Sequence, residues 1–382
     1  MKEGWTYKKL GEVARVQNGY AFDSKLFNEN GNGTPLIRIR DIKRNHTYTY
    51  TTEDCSKEFF IENGDLLIGM DGDFNVCTWE GGHAYLNQRV CHVIPSNQVI
   101  AKFLYYLLPF PLKRINDKTT FATVKHLSSK QVGNIMMPVP SLDEQQRIVE
   151  RLDAAFENID KLKANAEKQL AEAQTLFQKS LAKAMEPKEE WEEKKLGDVA
   201  EVNRGRSKHR PRNDKRLFGG PYPFIQTGDI RNAQGGEIKD FSQTYSEFGL
   251  SQSKLWAKGT ICITIAANIG ETAILGFDAC FPDSIVGIHP DETVLDALFL
   301  NYYLLSIKKE IDSQSYGTAQ KNINLEVLNN IVMQIPPLAE QQRIVERLDA
   351  LSENIRKYEE IQRQIISECD ALKQALLRKV FE

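Results

Sequence analysis

The chain has 382 residues, 41% of them hydrophobic and 26% charged, and a net charge of −3, a balance that excludes a disordered or strongly polybasic protein. No apolar run reaches the ~18 residues of a membrane span, and the opening MKEGWTYKK lacks a signal peptide's apolar core, so a cytoplasmic location with no membrane partner is expected. The six cysteines (Cys55, Cys77, Cys91, Cys262, Cys280 and Cys369) are scattered without a Cys-x-x-Cys pair, which argues for buried free thiols over a zinc site or a disulfide framework.

Residues 1–140 read as one globular domain. It opens on WTYKKLGEVA (5–14) and contains a strand-like run, LLIGM (66–70), and a helical one, KFLYYLLPF (102–110). The stretch IRIRDIKRNH puts Arg38 and Arg40 on one face of an extended segment, with Lys43 and Arg44 in the turn that follows. Arginine can bond two acceptors of a guanine or clamp a phosphate, so these four are candidate DNA contacts. Lys118, Thr119, Thr120 and Lys125, cations and short donors just before the domain ends, join them.

Residues 141–187 read as one long helix. Neither Gly nor Pro occurs from Leu142 to Met185, and Pro140 and Pro187 bracket the run, as start and stop signals do. Apolar residues recur in steps of three and four through Ile148, Leu152, Phe156, Ile159, Leu162, Leu170, Phe177 and Leu181, which marks one helical face. At 1.5 Å per residue the helix spans roughly 60 Å, and so long a stripe must be buried against a partner.

Residues 188–337 form a second domain, with strand-like ICITIA (261–266) and AILGF (273–277) and helical LDALFLNYYLLSIKKEI (295–311). Seven cations (Arg204, Arg206, Lys208, Arg210, Arg212, Lys215 and Arg216) fall within thirteen residues, opposed there by Asp214 alone. Glycine and proline in this stretch predict an exposed loop, outside the core, that can follow a phosphate backbone. Thr318, Gln320, Lys321 and Asn322 take the place of the 118–125 cluster. Residues 338–382 are a second long helix, with Ile344, Leu348, Leu351, Ile355, Ile365, Leu372 and Leu376 on its stripe.

The two halves are copies. EQQRIVERLDA stands at 144–154 and, letter for letter, at 340–350; WTYKKLGEVA at 5–14 parallels WEEKKLGDVA at 191–200. Two stripes in one chain are natural partners for each other. The expected architecture is mixed α/β (α+β): two globular domains and two long helices in an antiparallel coiled coil, a tandem duplication with pseudo-two-fold symmetry. Such an arrangement suits a DNA site read in two halves.

Catalytic motifs are missing. There is no phosphate-binding loop, no G-x-G-x-x-G, no His-Glu-x-x-His, and no Asn/Asp-Pro-Pro-Tyr/Phe string of an adenine methyltransferase. Asp283 has no second acid and lysine at nuclease spacing, and the six histidines form no metal-ligand pattern. No catalytic residue and no metal is expected.

The repeated W-x-x-K-K-L-G-[ED]-V-A starts, the repeated P-x-L-x-EQQRIVERLDA helix starts and PDSIVGI (282–288) resemble the specificity subunits of type I restriction-modification systems, over essentially the entire chain. The resemblance implies two target-recognition domains (1–140 and 188–337), each reading one half of a bipartite site in double-stranded DNA. It implies spacer helices (141–187 and 338–382) that fix the gap and dock two methyltransferase subunits. S-adenosylmethionine would be held by those subunits and not by this non-catalytic chain; motor-nuclease subunits would join for cleavage. The alternative is a coiled-coil adaptor without direct DNA readout, which accounts for the helices but not for the basic clusters.

Overall fold

Each half of the chain closes on itself through a two-stranded ribbon. Thr6–Lys9, just after Trp5, runs antiparallel to Met136–Val139, and Glu192–Lys195, just after Trp191, runs antiparallel to Val332–Ile335. The ribbon delivers each domain's last strand directly to the start of a long helix. The structure, a computed structural model, describes residues 4–118, 126–233, 235–266, 268–313 and 323–382.

The first domain is built on an antiparallel sheet of Ala14–Asn18, Val90–Pro95, Leu66–Gly69 and Val76–Thr78, in that spatial order. A second sheet of short strands orders Phe27–Asn28, Tyr50–Thr51, Thr34–Ile37, Ala84–Leu86 and Phe60–Ile61. In the second domain the principal sheet orders Ala200–Arg204, Ile285–Pro290, Ile261–Thr264, Thr272–Leu275 and Glu237–Ile238. Its first three strands reproduce the register of the first domain: Ala14 faces Pro95 and Ala200 faces Pro290. Two glycines seal the correspondence. A Cβ on Gly19 would lie 2.2 Å from the carbonyl oxygen of Asn87, and one on Gly205 would lie 2.3 Å from that of Pro282; only a residue without a side chain lets these backbones approach so closely.

Strand and helix expectations were met where the apolar runs were strongest. LLIGM, ICITIA and AILGF hold the strands Leu66–Gly69, Ile261–Thr264 and Thr272–Leu275. KFLYYLLPF and its counterpart are the helices Ala101–Leu107 and Ala297–Ser306. IRIRDIKRNH is different. Its strand stops at Ile37, and Ile39–Asp41 is a 3-10 turn. The buried Asp41 carboxylate accepts the Arg38 amide at 2.8 Å, which turns the chain and takes Arg40 off the face that Arg38 occupies.

The long helices run over Leu142–Ala184 and Leu338–Phe381. The chain divides into two units, 1–166 with 364–382 and 167–363. The division falls inside both helices, so each unit holds one domain, the beginning of its own helix and the end of the other. Within the first unit Lys163 pairs with Asp370 at 2.8 Å and Lys373 with Asp160. Within the second, Tyr358 donates to Gln169 at 3.0 Å, while Leu181 shares a core with Val345 and Leu348. In both, the number rises along one helix as it falls along the other: the segments are antiparallel.

The repeated string is the joint between helix and domain. Gln145 and Gln341 are both 0% exposed. Gln145 accepts the amide of Ile100, where the helix Ala101–Leu107 begins, and donates to the carbonyls of Gln98 and Pro140. Gln341 repeats this with the Asp296 amide and the Val294 and Pro336 carbonyls. Ile148, Val149 and Leu152 then enter the first domain's core together with Leu377; Leu348, Val345 and Leu181 enter the second's, flanked by Ile344 and Phe177.

The expected helix-pair residues therefore divide. Ile148, Leu152, Leu181 and Leu348 serve composite cores of domain and helices, with Phe156, Phe177, Ile344 and Leu376 packed at their edges. Ile159 is buried, and Leu170, Leu351, Ile355 and Ile365 are half-buried. Leu162 and Leu372, 50% and 48% exposed, lie off the seam. The physical reason is the repeat: Gln145, Leu152, Ile159, Ala166 and Ala173 are buried at intervals of seven, and Gln341, Leu348, Gln362 and Cys369 fall on the same seven-residue frame with the half-buried Ile355 between Leu348 and Gln362. A seven-residue repeat is coiled-coil packing; its half-buried partner positions lie four residues on at Leu170 and three residues on at Leu351 and Ile365, while Leu162 and Leu372, three residues on from Ile159 and Cys369, are left outside.

Candidate nucleic-acid interface

The cations of the second domain begin at the end of a core strand. Arg204 closes Ala200–Arg204, and the chain continues extended, so that Arg204, Arg206 and Lys208 are exposed while Gly205 and Ser207 between them are buried. Period-two exposure puts three cations along one edge. The backbone beneath is fixed. Gly205 donates to the Ile285 carbonyl at 2.8 Å, Arg206 to that of Phe281 at 3.0 Å, Lys208 to that of Gln252 at 3.1 Å, and Ser253 Oγ donates to the Arg206 carbonyl. Arg204, Arg206, Lys208 and the exposed Lys215 pair with no acidic side chain among the described residues.

The rest of the stretch is neither core-free nor uniformly cationic. Ser207 is buried, the His209 ring packs edge-on to Phe248 at 5.2 Å, and Leu217, at the end of the turn, is 1% exposed. Two carboxylates oppose the arginines. Asp214 accepts from Arg216 Nη2 at 2.7 Å and lies 2.8 Å from His209 Nε2; the bonds from Arg216, then that from His209, hold its carboxyl well below the usual carboxylate range. Arg216 also lies 5.2 Å from the Phe248 ring centroid. Asp283, distant in sequence, accepts from Arg212 Nη2 at 2.8 and 2.9 Å. Arg210 folds back onto the carbonyls of Ser207 and His209.

The first domain answers with different chemistry. Asp23 receives the Lys25 amide as Asp214 receives that of Arg216, and Gly19 matches Gly205. Three residues separate the glycine from the aspartate in the first domain and eight in the second. The second domain thus carries a five-residue insertion, rich in arginine. In the first, Tyr20 packs at this place against Phe22 and Phe59 instead.

The first domain's own cations lie elsewhere. The Arg38 guanidinium is 5.6 Å from the Phe27 ring centroid. Arg40 donates to Thr49 at 3.1 Å beside Glu29, Lys43 pairs with Asp73 at 2.8 Å, and Arg44 is exposed. Sequence reasoning missed their neighbours. Thr47 and Thr49 are buried while His46 and Tyr48 alternate with them outward, Tyr48 being 64% exposed with the His46 ring 4.6 Å away. The alternation H-T-Y-T was legible in the sequence. Lys118 ends the helix Pro109–Lys118 and is exposed. Thr119, Thr120, Lys125, Thr318, Gln320, Lys321 and Asn322 lie outside the described residues.

No three His, Cys, Asp or Glu side chains among the described residues are grouped to hold a metal ion, and no described helix is long and apolar enough to cross a membrane. Two copies of one sheet-based domain, each locked to a long helix and each presenting its own polar surface, define a duplicated recognition protein. Residues 2–172 and again 188–366 match the type I restriction modification DNA specificity domain, and the chain belongs to that family of specificity subunits. It is 29% identical over 409 residues to the type I restriction enzyme EcoBI specificity subunit of Escherichia coli, covering 99% of this chain and 86% of that one. It is 25% identical over 386 residues to the putative type I restriction enzyme MjaX specificity subunit of Methanocaldococcus jannaschii, covering 92% and 88%. A chain solved in work on complex assembly and conformational transition of the type I R-M system shares the fold with a TM-score of 0.80 at 20% identity, over 100% of this chain and 98% of the other. The HsdS subunit from Thermoanaerobacter tengcongensis does so with a TM-score of 0.60 at 20% identity, over 100% and 97%. DNA target recognition is accordingly the function of the fold, and the adaptor reading without DNA contact falls away.

Proposed function

We propose that this chain selects the DNA site for a type I restriction-modification complex, each domain reading one half of a bipartite sequence. The observation that carries the reading is the edge formed by Arg204, Arg206 and Lys208: three exposed cations, unopposed by carboxylates among the described residues, on a backbone pinned to the core sheet. Exposed cations at two-residue spacing meet successive phosphates, and contacts to phosphate fix register while base edges are read nearby. Arg38, Arg40, Lys43 and Arg44 contact DNA for the first domain, Arg40 and Lys43 beside the carboxylates Glu29 and Asp73, and Lys118, Thr119, Thr120 and Lys125, with Thr318, Gln320, Lys321 and Asn322 in the second domain, add polar contacts. The long helices hold the half-sites at a set separation and dock two methyltransferase subunits. Those subunits bind S-adenosylmethionine and flip out the adenine that they methylate; motor-nuclease subunits add cleavage. The chain itself contributes no catalytic group and holds no cofactor.

The test uses the chain assembled with its methyltransferase subunits. Replacing Arg204, Arg206 and Lys208 together by Ala is expected to weaken DNA binding and to flatten its salt dependence, by about 0.9 in the log–log slope for each phosphate no longer neutralised. Unchanged affinity and slope would show that the edge is idle surface.

A further inference from the structure

Of the seven cations in the basic stretch, Arg212 is held in a way that suits a base better than a phosphate. Its Nη2 donates to both Asp283 oxygens, at 2.8 and 2.9 Å, and the two side chains remain 53% and 39% exposed. A guanidinium with a carboxylate in contact has lost most of its attraction for a second anion, because the phosphate meets the pair and not the cation alone. What the pair gains is direction. One amino group is anchored, and Nη1 and Nε, which have no partner among the described residues, point where the carboxylate sets them. Neutral acceptors lose nothing by the pairing, and the O6 of guanine, exposed in the major groove where adenine carries a donor, is such an acceptor for Nη1.

Arg216 is the control within the same stretch. Both its Nε and its Nη2 are engaged by Asp214, at 3.2 and 2.7 Å, and it lies against the Phe248 ring, so its donor fork is already used. Arg210 spends Nη1 on two backbone carbonyls. Its Nη2 lies 4.0 Å from the same Asp283, but Arg212 is the arginine that Asp283 holds by hydrogen bonds. The orienting residue is itself firmly placed: Asp283 follows Pro282, whose carbonyl Gly205 admits, and the Ile285 amide closes the turn onto that same carbonyl at 3.1 Å before the core strand Ile285–Pro290 begins. In the first domain the corresponding residue, by sheet register, is Gln88, and the insertion that carries Arg212 is absent.

We infer that Arg212 reads a guanine in the half-site of the second domain and that Asp283 is the residue that positions it, an inference that rests on the DNA-recognition reading above. The two predict different failures. With the chain assembled with its methyltransferase subunits, methylated sites are mapped by sequencing for the wild type, Asp283→Ala, Asp283→Asn and Arg212→Lys. Asp283→Ala and Arg212→Lys are expected to relax one guanine position in one half-site and to lower methylation of the original site by roughly 5- to 150-fold, with the other half-site and the salt slope unchanged. Asp283→Asn, which keeps an acceptor for Arg212 and removes no volume, should fall between wild type and Asp283→Ala; thermal melting of each variant separates relaxed readout from unfolding.

The inference is overturned if Asp283→Ala and Asp283→Asn bind all sequences more tightly, with a steeper salt slope and an unaltered site, for then Asp283 only damps the local field. It is also overturned if the wild-type site contains no guanine in the half that these variants affect. A wild-type complex that selects no bipartite site at all would instead remove the reading on which the inference rests, and the inference with it.

Discussion

Tyr106 donates its phenolic hydrogen to Oδ1 of Asp153 at 2.5 Å, and the duplicated pair, Tyr302 and Asp349, does the same at 2.6 Å. Each bond ties a domain helix to the long helix that follows it, at the residue next to the buried leucine of the repeated string. Burial, and then the carboxylate, push both hydroxyls well above the ordinary tyrosine range. A group whose pKa is raised by folding contributes its full stability below its unfolded value, ~10 for tyrosine, and loses it as pH rises through the folded value. Ultraviolet titration should therefore show tyrosines that ionise later than the rest, and the double variant Tyr106→Phe, Tyr302→Phe should lack two of them. An unaltered titration curve would mean that neither bond persists in solution.

The buried glutamines offer a sharper stability test. Replacing Gln145 by Leu keeps the bulk but leaves the Ile100 amide and the Gln98 and Pro140 carbonyls without their partner. Removal of such bonds at a fully buried site is expected to cost about 3 kcal/mol, read as a lower urea midpoint. Gln341→Leu should cost about as much, because its three bonds are the same; a loss under ~0.5 kcal/mol at either site would contradict the joint.

The cysteines divide by burial. Burial pushes the Cys77 and Cys91 thiols up to about 12 and raises those of Cys262 and Cys280, whereas Cys55 alone of the six is only partly buried. In the native protein an aromatic disulfide reagent at mildly alkaline pH should modify Cys55 first, and the buried thiols only as the chain unfolds. Rapid modification of several thiols under native conditions would argue against the packing described.

The seven-residue seam gives the helices a measurable role. Inserting Ala-Glu-Ala-Gln after Leu170 and again after Glu360 adds about 6 Å of rise and about 400° of turn to each helix, near one full turn plus 40°. The seam stays close to its face, and the half-sites should remain while the unspecified gap lengthens by about one or two base pairs, at ~3.4 Å each. Two-residue insertions, turning each seam by about 200°, should abolish methylation. A four-residue variant with the original gap would show that the helices do not set it.

Much of this fold was legible because its strongest signals are periodic or duplicated. The long helices needed only a proline bracket and an apolar stripe, and the doubled EQQRIVERLDA announced two modules. The stripe misled at Leu162 and Leu372, since an average step of three or four does not say whether packing runs through i+3 or i+4. The site was harder. Arg38 and Arg40 looked like one face of a strand because the side chain that bends the chain, Asp41, acts through its carboxylate and not through its propensity. Asp283 stood 71 residues from Arg212, and nothing local joins them; pairings of that separation are made by topology. The alternation R-G-R-S-K, by contrast, was in plain view.

The joint at Gln145 and Gln341 also makes the domains interchangeable. The glutamine, the apolar residues after it and the aspartate, which seat the start of each long helix on its domain, lie within eleven residues that are identical in both copies. A foreign domain spliced in at that string would arrive beneath a helix that already carries the right dock, with its own terminal strand feeding the same proline. New target preferences could then be acquired by exchange of whole domains at a fixed seam, without repacking either helix, while the spacing between the halves passed unchanged from parent to hybrid.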